Sequence, residues 1–341
     1  MKNWKLLTVI LASLLFVLAA CGSDDKKESD TNSTTGEKTT TENAEGPTYP
    51  MTISPTVAES QSEEAGTIAY EDVTLEKMPE KIVVFDYGFL DTLDALGVEG
   101  IVGVAKDSTL PEHLSKYSSD EYANIGTLKA PLLEDIAELE PDVIFISGRQ
   151  SAFYDQLKEI TPNVIFVGTS QDDYWNTFLA SVDVAAKMFG KEEEAKEKIA
   201  EINAGIEEVK ALAGKYDTSL VTMYNEGNLS GFAQNSRFGY IYDIYGFKPV
   251  TDNIESSSHG SNFGFEAILE FNPQVLFVID RTAATGGESN IEADMENDII
   301  KQTTAYKENR IVYLDGPLWY LSGGGLESEL AKIQEIKDEL K

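Results

Sequence analysis

From about Thr67 onward, short apolar and β-branched runs alternate with stretches of helical period. Residues 82–85 (IVVF) read as a buried strand and 88–96 as the helix after it. Residues 101–104 give a second strand. A helix is expected over 132–139, stopped by Pro141, then a strand over 143–147, a helix over 153–160 and a strand over 164–167. Strands interleaved with helices in this way point to parallel sheets with helices on their faces.

The pattern changes between Tyr174 and Leu212, where two long helical stretches are split near Gly190 and no strand intervenes. The second, 191–212, places Ile199, Ile202, Ile206 and Val209 on one face. It fits a spine between two α/β lobes and equally an amphipathic surface helix of one domain, because periodicity does not separate the two. The α/β pattern then returns, with strands expected over 220–224, 275–279 and 311–314 and a terminal helix over 326–340.

The two halves share a segment. EDIAELEPDVIFISGR (134–149) and EAILEFNPQVLFVIDR (266–281) align at a constant offset, matching at Glu134/Glu266, Ile136/Ile268, Glu138/Glu270, Pro141/Pro273, Val143/Val275, Phe145/Phe277 and Arg149/Arg281. Each copy reads as a helix, a proline stop, a buried strand and an arginine just past the strand. In open α/β sheets ligands sit outside the carboxyl ends of the strands. Two lobes built alike would therefore each offer an arginine to a shared cleft; the apolar matches alone would suit any helix–proline–strand unit.

The N-terminus reads as an address. Lys2 and Lys5 precede an apolar run over 6–20, too short for a comfortable membrane span. The run ends in Leu18-Ala19-Ala20-Cys21-Gly22, which resembles a bacterial lipobox, with the chain's one cysteine at the lipid-bearing position. Residues 1–20 are thus expected to be a lipoprotein signal peptide. The stretch 21–66, rich in Ser, Thr, Glu, Asp and Lys, is expected to be the lipidated cysteine and a disordered tether. Three further segments follow: an N-terminal α/β lobe (67–173), linking helices (174–213) and a C-terminal α/β lobe (214–341).

Charge and residue counts narrow the chemistry. Among 341 residues, 59 acids face 27 bases, which argues against nucleic acid as a partner. One cysteine permits no internal disulfide, and two histidines, His113 and His259, cannot build a three-histidine metal site. There is no nucleophile elbow, P-loop or H-E-x-x-H motif, so no enzyme class is indicated. Only four of the 27 basic residues are arginine, and Arg149, Arg237 and Arg281 each follow a strand or strand-like run. A guanidinium stays charged, forks toward planar oxygen anions and stacks on aromatic faces. A single such arginine would equally suit pairing with one of the many acids. His259, in a Ser/Gly/Asn loop, and Tyr320, in GPLWYLSGGG after a strand, each suit a structural role when taken alone, but they offer an imidazole and a phenol of the kind that can ligate Fe(III).

IVVFDYGFLDTLDALGV (82–98), IGTLKAPLLEDIAELEPDVIFISGR (125–149), NSRFG (235–239), the His259 loop and the Trp319-Tyr320 loop together resemble the iron-siderophore substrate-binding lipoproteins of bacterial ABC importers, in their catecholate-binding branch (binders of petrobactin and enterobactin derivatives). The resemblance runs from about Thr67 to the C-terminus and leaves the extension before it unplaced. It implies two Rossmann-like α/β lobes with parallel-rich sheets joined by a long backbone helix, in the manner of class III periplasmic binding proteins. It implies an anionic Fe(III)-catecholate ligand held by Arg149, Arg237 and Arg281, with His259 and Tyr320 able to complete the iron shell. It further implies permease docking through Glu134 and Glu266, no intrinsic cofactor and no enzymatic activity, while the lipobox implies a membrane link through Cys21 and an extracytoplasmic location. Haem, cobalamin or a hydroxamate siderophore on the same fold, or a surface interaction protein that transports nothing, are the alternatives.

Overall fold

The computed structural model describes residues 46–62, 65–254 and 260–341. Residues 1–20, expected to be a signal peptide, Cys21 and His259 lie outside the described residues. Fourteen strands are described: β1 (Met51–Ile53), β2 (Glu59–Ser62), β3 (Gly66–Ala69), β4 (Val73–Leu75), β5 (Ile82–Val84), β6 (Ile101–Val104), β7 (Ala123–Asn124), β8 (Val143–Ile146), β9 (Val164–Phe166), β10 (Ser219–Asn225), β11 (Asn228–Phe232), β12 (Ser261–Phe263), β13 (Val275–Asp280) and β14 (Ile311–Leu314). The helices are α1 (Tyr87–Ala95), α2 (Leu133–Glu138), α3 (Tyr154–Ile160), α4 (Tyr174–Phe189), α5 (Glu192–Ala213), α6 (Tyr240–Asp243), α7 (Phe265–Phe271), α8 (Arg281–Ala284), α9 (Ile291–Met295), α10 (Thr304–Lys307) and α11 (Leu326–Glu339).

Two five-stranded sheets organise the molecule. The first runs β7-β6-β5-β8-β9 and is parallel throughout. The second runs β12-β11-β10-β13-β14; β10, β13 and β14 are parallel, while β11 and β12 are antiparallel additions. Every residue of β5, β8, β9 and β13 is buried. That is why these strands read as unbroken apolar runs: a parallel strand covered by helices on both faces has no polar side. The two copies of the shared segment occupy the same place, with α2–β8 and α7–β13 each supplying the fourth strand of its sheet.

The mid-chain helices carry the chain from one sheet to the other. Gly190 ends α4 in the left-handed conformation (φ 64°), which a Cβ disfavours. Helix α4 packs on α1 of the first lobe, and α5 lies along α11 of the second. Ile202, Ile206 and Val209 are buried as their spacing requires, while Ile199 is only partly covered.

The expectation that 21–66 is an unfolded tether is corrected from Tyr49 onward. Tyr49 donates to the Met188 carbonyl at 2.6 Å, β1 pairs with β4, and Ile53 is buried. Thr56 donates from its amide to the Phe166 carbonyl at 3.0 Å and from its hydroxyl to that of Gly168 at 2.6 Å. A segment poor in large apolar residues is thus held by backbone and hydroxyl hydrogen bonds rather than by a core of its own.

A buried polar joint ties the C-terminal helix to the first lobe. Asp91, on α1, accepts from the amides of Glu327 (3.1 Å) and Ser328 (2.7 Å) and from the Ser328 hydroxyl (2.6 Å), capping α11 from across the fold. Burial pushes its carboxyl up to about 7, against these hydrogen bonds. The chain approaches as closely as it does because of glycine: a Cβ on Gly88 would stand 2.1 Å from the Gly323 carbonyl oxygen, and one on Gly325 would stand 2.0 Å from the Asp91 carboxylate. One turn further along α11, Lys332 and Glu329 form a buried ion pair at 2.9 Å, and Tyr174 and Tyr245 both donate to Glu329. Asp91→Ala is expected to remove a cap with buried donors, costing about 2 kcal/mol and lowering the melting temperature by several degrees in a thermal melt.

Candidate ligand-binding site

A cleft of about 450 Å³ is lined by residues from both lobes. Residues that follow β5, β8 and β9 form one wall, and residues that follow β11 and β14 form the other. Arg149 emerges where β8 gives way to a helical turn over 148–153, held by a reciprocal cap between Ser147 and Gln150. Arg237 sits between β11 and α6; its loop turns through left-handed Asn235 (φ 54°) and is tied by the Ser236 hydroxyl to the Ala233 carbonyl. Arg281 opens α8 directly after β13, where Asp280 accepts from the Ala283 amide at 3.0 Å.

All three guanidiniums converge on Tyr320. Arg149 and Arg237 both donate to its backbone carbonyl, Arg149 at 2.8 Å. Arg237 also stacks on its ring, 3.9 Å from the centroid, and Arg281 donates from Nε to its hydroxyl at 2.9 Å. Arg281 donates in addition to the Asn225 side chain. Arg149 and Arg237 line the cleft itself, whereas Arg281 acts on it through Tyr320.

The electrostatics follow from this crowding. Burial, then the neighbouring Arg149 charge, lowers the Arg237 pKa to about 10, so it remains a cation at neutral pH. Burial raises the Tyr320 phenol, but the Arg237 charge, the Arg281 hydrogen bond and charge, and the Arg149 charge together outweigh it and bring the phenol down to about 8. The buried phenols nearby go the other way: burial, then the Glu329 carboxylate, holds Tyr174, Tyr240 and Tyr245 well above the ordinary range.

Several cleft residues were not singled out by the sequence. Lys129 adds a fourth cation at the rim, Gln61 and Ser62 come from β2, and Asp86 is the one acid among the described lining residues. Asp86 caps α1 through the Phe89 amide at 2.9 Å, and burial raises its carboxyl against that bond and the pull of Ser147 and Arg149. Tyr174, Tyr240 and Trp319 form a stacked series, at 4.3 Å and 12° for the first pair and 5.9 Å and 5° for the second. Lys129 carried no signal because the chain is rich in lysine, and the aromatic series joins positions far apart in sequence. Glu134 and Glu266 are exposed at the second position of α2 and α7. Among the described residues, no group of three His, Cys, Asp or Glu side chains is placed to hold a metal ion, and no helix is long and apolar enough to cross a membrane.

A family model described as "Periplasmic binding protein" matches residues 82–318. The chain belongs to this family. The petrobactin-binding protein YclQ of Bacillus subtilis is 39% identical over 345 residues, covering 100% of both chains. The crystal structure of YclQ matches with a TM-score of 0.77 at 40% identity, covering 83% of this chain and 98% of that one. The ferric-anguibactin-binding protein FatB of Vibrio anguillarum is 32% identical over 272 residues, covering 77% of this chain and 83% of FatB. The crystal structure of the catecholate-siderophore binding protein VctP of Vibrio cholerae matches with a TM-score of 0.72 at 34% identity, covering 82% of this chain and 99% of that one. As a periplasmic binding protein, the chain has the two-lobe α/β architecture and is a carrier of ligand rather than an enzyme.

The depressed phenol is directly measurable. An ultraviolet-difference titration near 295 nm is expected to show one tyrosine ionising near pH 8. That step is lost in Tyr320→Phe. In Arg237→Gln it moves up toward the ordinary value of about 10, because the largest stabiliser of the phenolate is gone.

Proposed function

We propose that this periplasmic binding protein captures an anionic Fe(III)-catecholate siderophore in the inter-lobe cleft and hands it to an ABC importer from a lipid anchor at Cys21. The observation that carries the reading is the convergence of Arg149, Arg237 and Arg281 on one residue at the seam of the lobes. An Fe(III) centre held by three catecholates carries about three negative charges; three guanidiniums match it in number, Arg149 and Arg237 from the cleft wall with planar hydrogen-bonding geometry and Arg281 from behind Tyr320. A hydroxamate complex is commonly near neutral and leaves such a cluster uncompensated. The relatives' names, which cite petrobactin, anguibactin and catecholate siderophores, agree with the charge argument.

Tyr320 adds a second capability. Its oxygen accepts from Arg281 and so keeps a lone pair available, and a pKa near 8 makes the phenolate accessible at little cost. With a tetradentate siderophore, which leaves two iron positions open, Tyr320 is placed to supply one ligand; His259, outside the described residues, is the proposed second.

Glu134 and Glu266 occupy matched, exposed helix positions, one on each lobe, and form a symmetric pair for docking to a permease. In quenching titrations with Fe(III)-petrobactin, Arg149→Ala and Arg281→Ala are each expected to weaken binding by about tenfold or more, the first through loss of a charge-assisted contact at the cleft wall, the second through loss of the charge and hydrogen bond behind Tyr320. Unchanged affinity in both variants would end the arginine-cleft model. Glu134→Ala combined with Glu266→Ala is expected to leave this affinity intact while reducing iron uptake by cells that depend on the protein.

A further inference from the structure

The β2–β3 hairpin stands outside both sheets and ahead of residue 82, where the family match begins. Yet Gln61 and Ser62 are part of the cleft wall, beside Arg149, Ala152 and Phe153. The hairpin is fixed to the same turn that carries Arg149. Ser60 Oγ lies 2.6 Å from the Tyr70 hydroxyl and 3.0 Å from Ser151 Oγ, and the Tyr70 hydroxyl lies 2.6 Å from Ser151 Oγ. Three hydroxyls thus close a ring two residues from Arg149. The Tyr70 ring secures it, packing at 4.4 Å on Phe166 and edge-on at 5.1 Å to Tyr154. Just upstream, the Thr56 hydroxyl donates to the carbonyl of Gly168, itself a cleft residue.

These attachments hold uncharged polar groups at a fixed place relative to the guanidiniums. Gln61 exchanges hydrogen bonds with Thr67 across the hairpin, from Nε2 at 2.9 Å and to Oε1 at 3.3 Å. That fixes the side chain and still leaves an amide N–H and carbonyl lone pairs for another partner. The charged iron core of a siderophore is served by arginine. Apart from their chelating arms, catecholate siderophores differ in the organic backbone between those arms, whose neutral donors and acceptors call for neutral partners.

We propose that the β2–β3 hairpin is the selectivity wall of the cleft, with Gln61 and Ser62 hydrogen-bonding the polar backbone of the ligand while the arginines hold its anionic core. This rests on the siderophore reading above. The test compares Kd values for Fe(III)-petrobactin and Fe(III)-enterobactin in the wild-type protein, in a Gln61→Ala/Ser62→Ala double variant and in Arg149→Ala. Loss of neutral hydrogen bonds to one backbone is expected to move the ratio of the two Kd values by about threefold or more in the double variant. Arg149→Ala is expected to weaken both ligands together. A ratio shifted by less than about threefold in the double variant overturns the selectivity role while leaving the siderophore reading standing. A wild-type protein that binds neither complex overturns that reading, and this inference with it.

Discussion

The cleft is governed by a repulsion. Three guanidiniums are brought around a single tyrosine, one of them stacked on its ring, in a place where water is partly excluded. Like charges at such range raise each other's energy, and the Arg149 charge adds to burial in lowering the Arg237 pKa. The protein offsets part of this with the Tyr320 carbonyl and with a phenol drawn toward its ionised form. A multiply charged anion completes the compensation. The formal charge of -32 does not cancel this attraction, because at physiological ionic strength distant charges are screened beyond about 8 Å whereas the guanidiniums act at contact.

The arrangement comes from a symmetric plan with one asymmetric addition. The fourth strand of each sheet, β8 and β13, delivers an arginine from its carboxyl end, so the shared segment accounts for Arg149 and Arg281. Arg237 has no such counterpart. It follows β11, which runs antiparallel where the first sheet has a parallel strand. The departure from the doubled pattern thus places the residue that does most to depress the Tyr320 phenol.

What the sequence made legible and what it hid divide along physical lines. Strands β5, β8, β9 and β13 were readable because parallel strands buried on both faces are apolar throughout, and β14 because its run IVYL is apolar although only alternate residues are buried. The α4–α5 break was readable because Gly190 stands where a left-handed residue is needed. Strands β2 (ESQS) and β11 (NLSGF) were not readable, since polar and glycine-containing segments acquire strand geometry only from the partner they meet. For the same reason the tether was drawn too long: composition suggested solvation through residue 66, while hydrogen bonds from Tyr49, Thr56 and Ser60 order the chain much earlier. The site arginines stood out because arginine is scarce here. The convergence of all three on Tyr320, and the indirect placement of Arg281, required coordinates.

The joint between α1 and α11 has a mechanical meaning. Glycine backbones at Gly88 and Gly323 approach without room for a side chain, and the Asp91 cap and the Lys332–Glu329 pair lie on the same seam. A seam so closely packed resists shear, and opening it would expose buried charge. Any motion that slid α11 along α1 would have to part the Gly88–Gly323 contact and withdraw the Asp91 carboxylate from the amides it caps, so this seam moves as one piece or not at all.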